Sequence, residues 1–242
     1  MTPDQKDAFF RVHRDLHREG PGEPADVLWA LDALGLSGPL DVLDAACGPG
    51  ADMLTLAEAL PQARITGMEV TPHFVTEASA RVAAFAPRVR AIEGDMSAPE
   101  GMYDLIWCAG ALYFLGVTEG LQSWRKVLKP GGAVAFSEPV LLGTPPNAGV
   151  RAFWEEYPQI TDLDGITARV RAAGYTVQDH RMIVGSPWAA YYTPLQDRIQ
   201  MLRGQNPDAA LIAALDENQR EIDLWHAAED QIAYALLIVK PA

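Results

Sequence analysis

Two cysteines in 242 residues, Cys47 and Cys108, are too few for a disulfide framework and share no C-x-x-C spacing. That argues against a secreted cystine scaffold and against a thiol relay. The five histidines are scattered, so no metal site is expected at recognisable spacing. Basic residues are also scarce: 19 Lys and Arg stand against 32 Asp and Glu, a formal net charge of −13. Such a surface repels phosphate backbones and anionic lipid, which argues against a nucleic-acid or membrane partner. The densest basic groups, Arg81, Arg88 and Arg90, and Arg125, Lys126 and Lys129, read as solvated helix faces. No apolar run approaches the length of a membrane span. No basic stretch followed by an apolar one opens the chain, so a cytoplasmic protein is expected. Internal repeats and low-complexity tracts are missing.

What is present is a large apolar fraction, 49%, enough to fill one α/β core at a length that suits one domain. The most telling stretch is Val42-Leu43-Asp44-Ala45-Ala46-Cys47-Gly48-Pro49-Gly50-Ala51-Asp52. An apolar run ends in an acid, a small-residue turn follows, and helical periodicity begins at once with Met53, Leu54, Leu56, Ala57 and Leu60. This is the strand, turn and helix N-terminus that open a nucleotide-binding α/β sheet. The dinucleotide pattern G-x-G-x-x-G fails in both possible registers, Gly48-Gly50-Met53 and Ala46-Gly48-Ala51. No Lys-Ser/Thr pair follows Gly50, so a Walker loop is excluded.

The rest of the chain repeats the alternation. Helices are expected over about 2–18 and 23–34, then strand 40–45, helix 52–60, strand 64–68, helix 72–85, and strands 89–93 and 104–108. Helix 117–128 leads into a turn at Lys129-Pro130-Gly131-Gly132 and strand 133–137. Helices 148–157 and 162–173, strand 176–183, a long helical insert over 187–229 and a final strand 232–239 complete it. The expected fold is Rossmann-like: a doubly wound, mostly parallel seven-stranded sheet with an antiparallel last strand, N-terminal helices and a helical insert between strands 6 and 7. A connection of that length carries its own helices. A single domain is expected, with a helical cap over 1–36, a cofactor-binding core over 37–139 and a substrate-side half over 140–242.

Three acids follow one another at strand ends. Glu69 closes the second strand about twenty residues after the turn, where an acid accepts ribose hydroxyls. Asp95 follows the third strand, and Asp44 closes the first, where it is expected to anchor the turn through backbone amides. From Leu40 to Ser137 these motifs, in this order and with Leu128-Lys129-Pro130-Gly131-Gly132, resemble the class I S-adenosylmethionine-dependent methyltransferases. The flanks are similar to a narrower group of small bacterial methyltransferases with an N-terminal R-x-G-P-G element, here Arg18-Glu19-Gly20-Pro21-Gly22. That group has counterparts of Gly110 to Tyr113, Phe153 to Pro158, and Trp188 with Tyr191-Tyr192-Thr193-Pro194, and mostly unassigned substrates.

The resemblance implies S-adenosylmethionine as cofactor, with S-adenosylhomocysteine as product. It implies a cofactor site built from Ala46, Cys47, Gly48, Gly50, Glu69 and Val70. Asp95 would accept from the adenine amino group, the Met96 amide would meet the ring, and Cys108 would stand where cofactor and acceptor meet. Arg18 has two open readings: a partner of the cofactor carboxylate, or a helix-end cation offsetting the dipole. Tyr113, Trp154, Trp188, Tyr191 and Tyr192 are candidates for an acceptor pocket. Candidate bases are His17, Tyr113, Glu138 and His180, and no catalytic residue is assigned. The expected activity is in-line methyl transfer to a small-molecule acceptor, by a monomer or homodimer. Two other readings use the same turn: a non-enzymatic S-adenosylmethionine-binding module and an NAD-linked oxidoreductase. The N-terminal segment and the insert are expected to close over one mouth at the carboxyl ends of the strands.

Overall fold

The computed structural model describes residues 2–143 and 145–242. Its centre is strand β1 (Asp41–Ala45), whose Val42, Leu43 and Ala45 are fully buried. Burial on both faces is what a parallel strand between helical layers requires, and it explains the uninterrupted apolar run. Around it lie β2 (Arg64–Glu69), β3 (Val89–Glu93), β4 (Tyr103–Cys108), β5 (Leu128–Leu141), β6 (Tyr175–Ile183) and β7 (Ile232–Pro241). The order is β3-β2-β1-β4-β5-β7-β6. Strands β1 to β5 pair in parallel, and β7 runs antiparallel to both β5 and β6. The chain therefore has the seven-stranded Rossmann-like sheet expected from its sequence.

Helices α1 (Pro3–His13) and α2 (Pro24–Leu34) precede the sheet, and α3 (Ala51–Ala59), α4 (Pro72–Arg81) and α5 (Val117–Trp124) cross between its first strands. The short α6 (Ala148–Phe153) and α7 (Leu163–Ala172) follow β5. The long connection between β6 and β7 folds into two helices of 18 residues, α8 (Ser186–Arg203) and α9 (Ala209–His226). Helix α1 packs on α8 and α9, so the N-terminal flank and the insert form one layer. Caps fix the starts: Thr2 and Gln5 form a reciprocal capping box, and Asp162 and Asp208 each accept a backbone N–H. Each such cap stabilises by about 1 kcal/mol.

The amino ends of the strands are held by charge. Lys129 Nζ reaches Asp41 at 2.6 Å and Asp104 at 2.7 Å, and Arg64 pairs with Asp41 at 2.7 Å. Arg64, then Lys129, hold the Asp41 carboxyl below its usual range.

Two expectations need correction. Helix α1 ends at His13 rather than at residue 18, because Arg14 is extended and Asp15 adopts φ +65°. Aspartate tolerates that region, and Leu16 is buried from a loop instead of from a helix face. Residues Lys129 to Gly132 are not a turn before a strand. They lie inside β5, where the register against β4 shifts between Tyr103 and Leu105, so the glycines shape an irregularity within one long strand.

Gly50 shows how tightly the layers meet. It has φ +85°, and a Cβ there would stand 2.9 Å from Ala78 Cβ and 3.0 Å from Ala78 Cα on α4. Gly50→Ala should therefore lose about 1–2 kcal/mol for the left-handed backbone and a further ~1–3 kcal/mol for overpacking. Gly38→Ala has φ +80° and no atom nearer than 3.9 Å, so it should lose only the first amount. Urea unfolding of both variants checks this, and equal losses would contradict the packing account.

Candidate functional site

The β1–α3 turn is built by backbone bonds that its small residues permit. Ala46 and Gly48 have positive φ, Cys47 N–H donates to Met68 O at 3.0 Å, and Gly50 N–H donates to Cys47 O at 3.0 Å. Glu69 completes it: Oε2 accepts from Gly48 N–H at 3.2 Å and Oε1 from Thr71 N–H at 2.9 Å. Asp44 does not anchor the turn as its position suggested, because Glu69 reaches across from β2 to do so. Asp44 is 2% exposed, lines the cavity beside the turn, and its Oδ2 has no partner among the described residues. Burial first, then the neighbouring Asp52 and Glu69, push its pKa well above the usual carboxylate value.

In the first turn of α3, Asp52 accepts from Arg18 Nη2 at 2.9 Å and from Trp107 Nε1 on β4 at 3.0 Å. Arg18 is 9% exposed and lies five residues past the end of α1, so it is not a helix-end cation. The Arg18–Gly22 element explains itself locally. A Cβ on Gly22 would meet Arg18 Nη1 at 2.5 Å, and Gly22 N–H donates to Pro187 O at 3.1 Å. The segment is thereby seated on the start of α8 with the guanidinium beneath it.

Above the carboxyl ends of the parallel strands lies a cavity of about 1290 Å³. A single small-molecule site occupies roughly 300–1,000 Å³, so there is room for two ligands. Arg18, Ala46, Cys47, Gly48, Glu69, Val70, Asp95 and Met96 line it, as do Tyr113, Trp154, Trp188, Tyr191 and Tyr192. Two expected residues do not. Gly50 faces α4, and the Cys108 side chain is fully buried in the core beneath the strand end. Burial pushes both thiols far above their usual pKa, which disfavours their thiolate forms. Asp95 Oδ1 accepts from Ser97 N–H at 2.8 Å, and the backbone and side-chain bonds from Ser97 hold its carboxyl below the usual range. Met96 O accepts from Trp124 Nε1 at 2.7 Å. Val70 and Phe114, 68% and 72% exposed, stand at the mouth.

The candidate bases separate by location. His17 lies outside the cavity against Arg81, and burial, then Arg81 and Arg18, lower its pKa. His180 is exposed on β6. Tyr113 lines the cavity, and burial pushes it up to about 12. Glu138 on β5 is 0% exposed, accepts from the Tyr157 hydroxyl at 2.6 Å and has an unpartnered Oε2. It stands behind Tyr157, which does line the cavity.

Sequence reading missed a face of α9. Ala210, Ala213, Ala214, Glu217, Asn218 and Glu221 line the cavity at helical spacing. The signal was a stripe of small residues followed by polar ones on one face. His13 and Glu19, paired at 2.7 Å, were missed as well; His13 Nε2 also meets Asn218 Oδ1 at 3.1 Å.

Burial pushes Glu138 from 4.5 up to about 7. The folded chain thus keeps this proton where the unfolded chain has lost it, and stability falls as pH rises from 4.5 to about 7. The slope from one such group is on the order of 1.4 kcal/mol per pH unit. Glu138→Gln removes this share of the slope, so the variant should gain stability relative to the parent as pH rises from 5 to 8. Urea midpoints across that range measure it; parallel curves would contradict the assignment.

Residues 42–132 match the family model described as a methyltransferase domain. Trans-aconitate 2-methyltransferase of Streptomyces avermitilis is 32% identical over 118 residues, 47% of this chain and 44% of that protein. Malonyl-[acyl-carrier protein] O-methyltransferase of Pseudescherichia vulneris is 32% identical over 54% of this chain and 51% of its own length. The chain spans about half the length of the curated relatives it matches. A methyltransferase from Geobacter sulfurreducens, solved with S-adenosyl-L-homocysteine, superposes with a TM-score of 0.85 at 20% identity and covers 98% of both chains. The segment that builds the turn and its three strand-end acids thus matches a methyltransferase-domain model, and the whole chain shares the fold of the Geobacter sulfurreducens methyltransferase.

Proposed function

We propose that the protein transfers a methyl group from S-adenosylmethionine to a small-molecule acceptor by direct in-line displacement. The observation that carries this reading is the single cavity with the Gly48 turn, Glu69 and Asp95 on one side and an aromatic wall on the other. Its chemistry fits the cofactor. Asp44 presents a buried carboxyl oxygen without a partner, and a cationic ligand supplies the charge it lacks. Glu69 retains acceptor capacity for ribose hydroxyls beyond its two backbone bonds, and Asp95 Oδ2 suits the adenine amino group. The N–H groups opening α3 favour a carboxylate.

Bound S-adenosylmethionine supplies a methyl group on a sulfonium leaving group. The protein's task is to align the acceptor and exclude water. Helix α1, the Arg18–Gly22 segment and α9 roof the cavity, so the two ligands meet away from bulk solvent. Such alignment is worth roughly 7–11 kcal/mol of barrier in well-oriented systems. The acidic composition supports a protein that does not bind nucleic acid.

Calorimetry with S-adenosylhomocysteine tests the reading. Binding should be weakened at least tenfold by Gly48→Ala, which strains the φ +51° backbone of the turn and adds a Cβ in contact with Glu19 at the cavity wall. Glu69→Gln should lose roughly 1.5–3 kcal/mol for a charge-assisted bond. Binding of NAD with none of S-adenosylhomocysteine would replace this reading with an oxidoreductase. Cofactor binding with no methyl transfer to any acceptor would favour a binding module.

A further inference from the structure

The roof of the cavity carries a charge pattern that cofactor binding leaves unassigned. Eight carboxylates line the cavity, and among the described residues Arg18 is the only lysine or arginine that does so. Arg18 is already paired with Asp52. S-adenosylmethionine itself carries one sulfonium, one ammonium and one carboxylate, so its arrival leaves most of these acids without a cationic partner. The excess stands on the acceptor side, at Glu156 just after α6 and at Glu217 and Glu221 on α9. Glu221 Oε1 accepts from the Tyr192 hydroxyl at 2.7 Å.

Two further observations point the same way. The neighbouring wall is a run of aromatic rings: Tyr191 and Tyr192 have centroids 4.9 Å apart, Trp188 and Tyr234 5.0 Å, and Tyr113 and Tyr157 5.5 Å. Aromatic faces attract cations. At the base of the same cavity, Asp44 holds a carboxyl oxygen buried without a partner. A carboxylate acceptor would enter this space against like charge, with no free cation to receive it.

We infer that the methyl acceptor is a cationic amine, held at its nitrogen by Glu221 and the tyrosine and tryptophan wall. The inference rests on the methyltransferase reading and narrows its substrate class. The chemistry balances within the site. The bound ammonium gives one proton to the Glu221 carboxylate. The freed nitrogen lone pair forms the N–C bond as the C–S bond breaks, and that electron pair stays on sulfur. The proton on Glu221 then leaves to water.

The test titrates the protein, saturated with S-adenosylhomocysteine, with three probes followed by tryptophan fluorescence. These are choline, its uncharged isostere 3,3-dimethylbutan-1-ol, and trans-aconitate. Choline should bind roughly tenfold or more tighter than the isostere, and trans-aconitate should not saturate. Glu221→Gln should remove most of that preference while the S-adenosylhomocysteine affinity stays within about twofold. Glu217→Gln, at an exposed position where folding is not at stake, should lower the preference too. In turnover assays with labelled S-adenosylmethionine, label should enter primary and secondary amines and not carboxylic acids. Equal binding of choline and its isostere, or saturable binding of trans-aconitate, overturns the inference and leaves the cofactor reading standing. Failure of S-adenosylhomocysteine to bind overturns the cofactor reading, and the inference falls with it.

Discussion

The site depends on the carboxylate of Asp52. Its two oxygens take one bond from Arg18, which belongs to the N-terminal flank, and one from Trp107, which belongs to the central strand β4. Asp52 itself opens α3, where the helix dipole favours a negative charge. Three parts of the chain more than thirty residues apart are thus held at one point directly beneath the cavity. Removing one partner of a buried ion pair typically costs about 3–5 kcal/mol, because it strands the other charge. The pair is therefore better understood as fixing where the flank lies than as a net source of stability. With Gly22 pinned to Pro187 O, it sets the roof over the turn.

The remaining acids make the cavity an unfinished electrostatic structure. Burial raises the pKa of Asp44, Glu19 and Glu221, and in each case neighbouring carboxylates add to the effect. Only Glu19 and Glu221 are relieved in part by bonds, from His13 and Tyr192 respectively. A positive ligand in such a cavity lets each carboxyl ionise, so its binding is accompanied by release of protons. Ligand affinity and site protonation are then one equilibrium.

The sheet was legible because its signals are local. The run Val42 to Ala45 is apolar but for its strand-end acid, the small residues from Ala46 to Gly50 announce a tight turn by themselves, and strand-end acids recur at nearly even spacing. The errors came where tertiary contacts override the local pattern. Leu16 continues the helical period of α1, yet Asp15 turns the chain so that Arg18 can reach Asp52. Lys129-Pro130-Gly131-Gly132 has turn chemistry, yet strand β5 passes through it. Gly50 looks like a ligand-contacting glycine, but its missing Cβ makes room for Ala78. The carboxylates of α9 were invisible for a different reason: an acidic residue on a helix normally faces solvent, and only the packing of α9 against α1 turns Glu217 and Glu221 toward a cavity.

The same division explains why sequence similarity speaks to the cofactor and says little about the acceptor. The segment that matches the methyltransferase domain ends at residue 132, and it contains Asp44, the Gly48 turn, Glu69 and Asp95. Trp154, Glu156, Trp188, Tyr191, Tyr192, Glu217, Glu221 and Tyr234 all lie beyond it, and His13 and Glu19 precede it. Those residues sit on elements whose only shared constraint is to cover the strand ends. A helix such as α9 can exchange one polar face for another without disturbing the buried residues Leu211, Leu215, Ile222 and Trp225 on its other side. The parallel strands must keep their buried pattern to keep the turn in place, whereas the roof is free to change charge. Relatives that share the turn can therefore serve carboxylate acceptors while this chain presents carboxylates of its own.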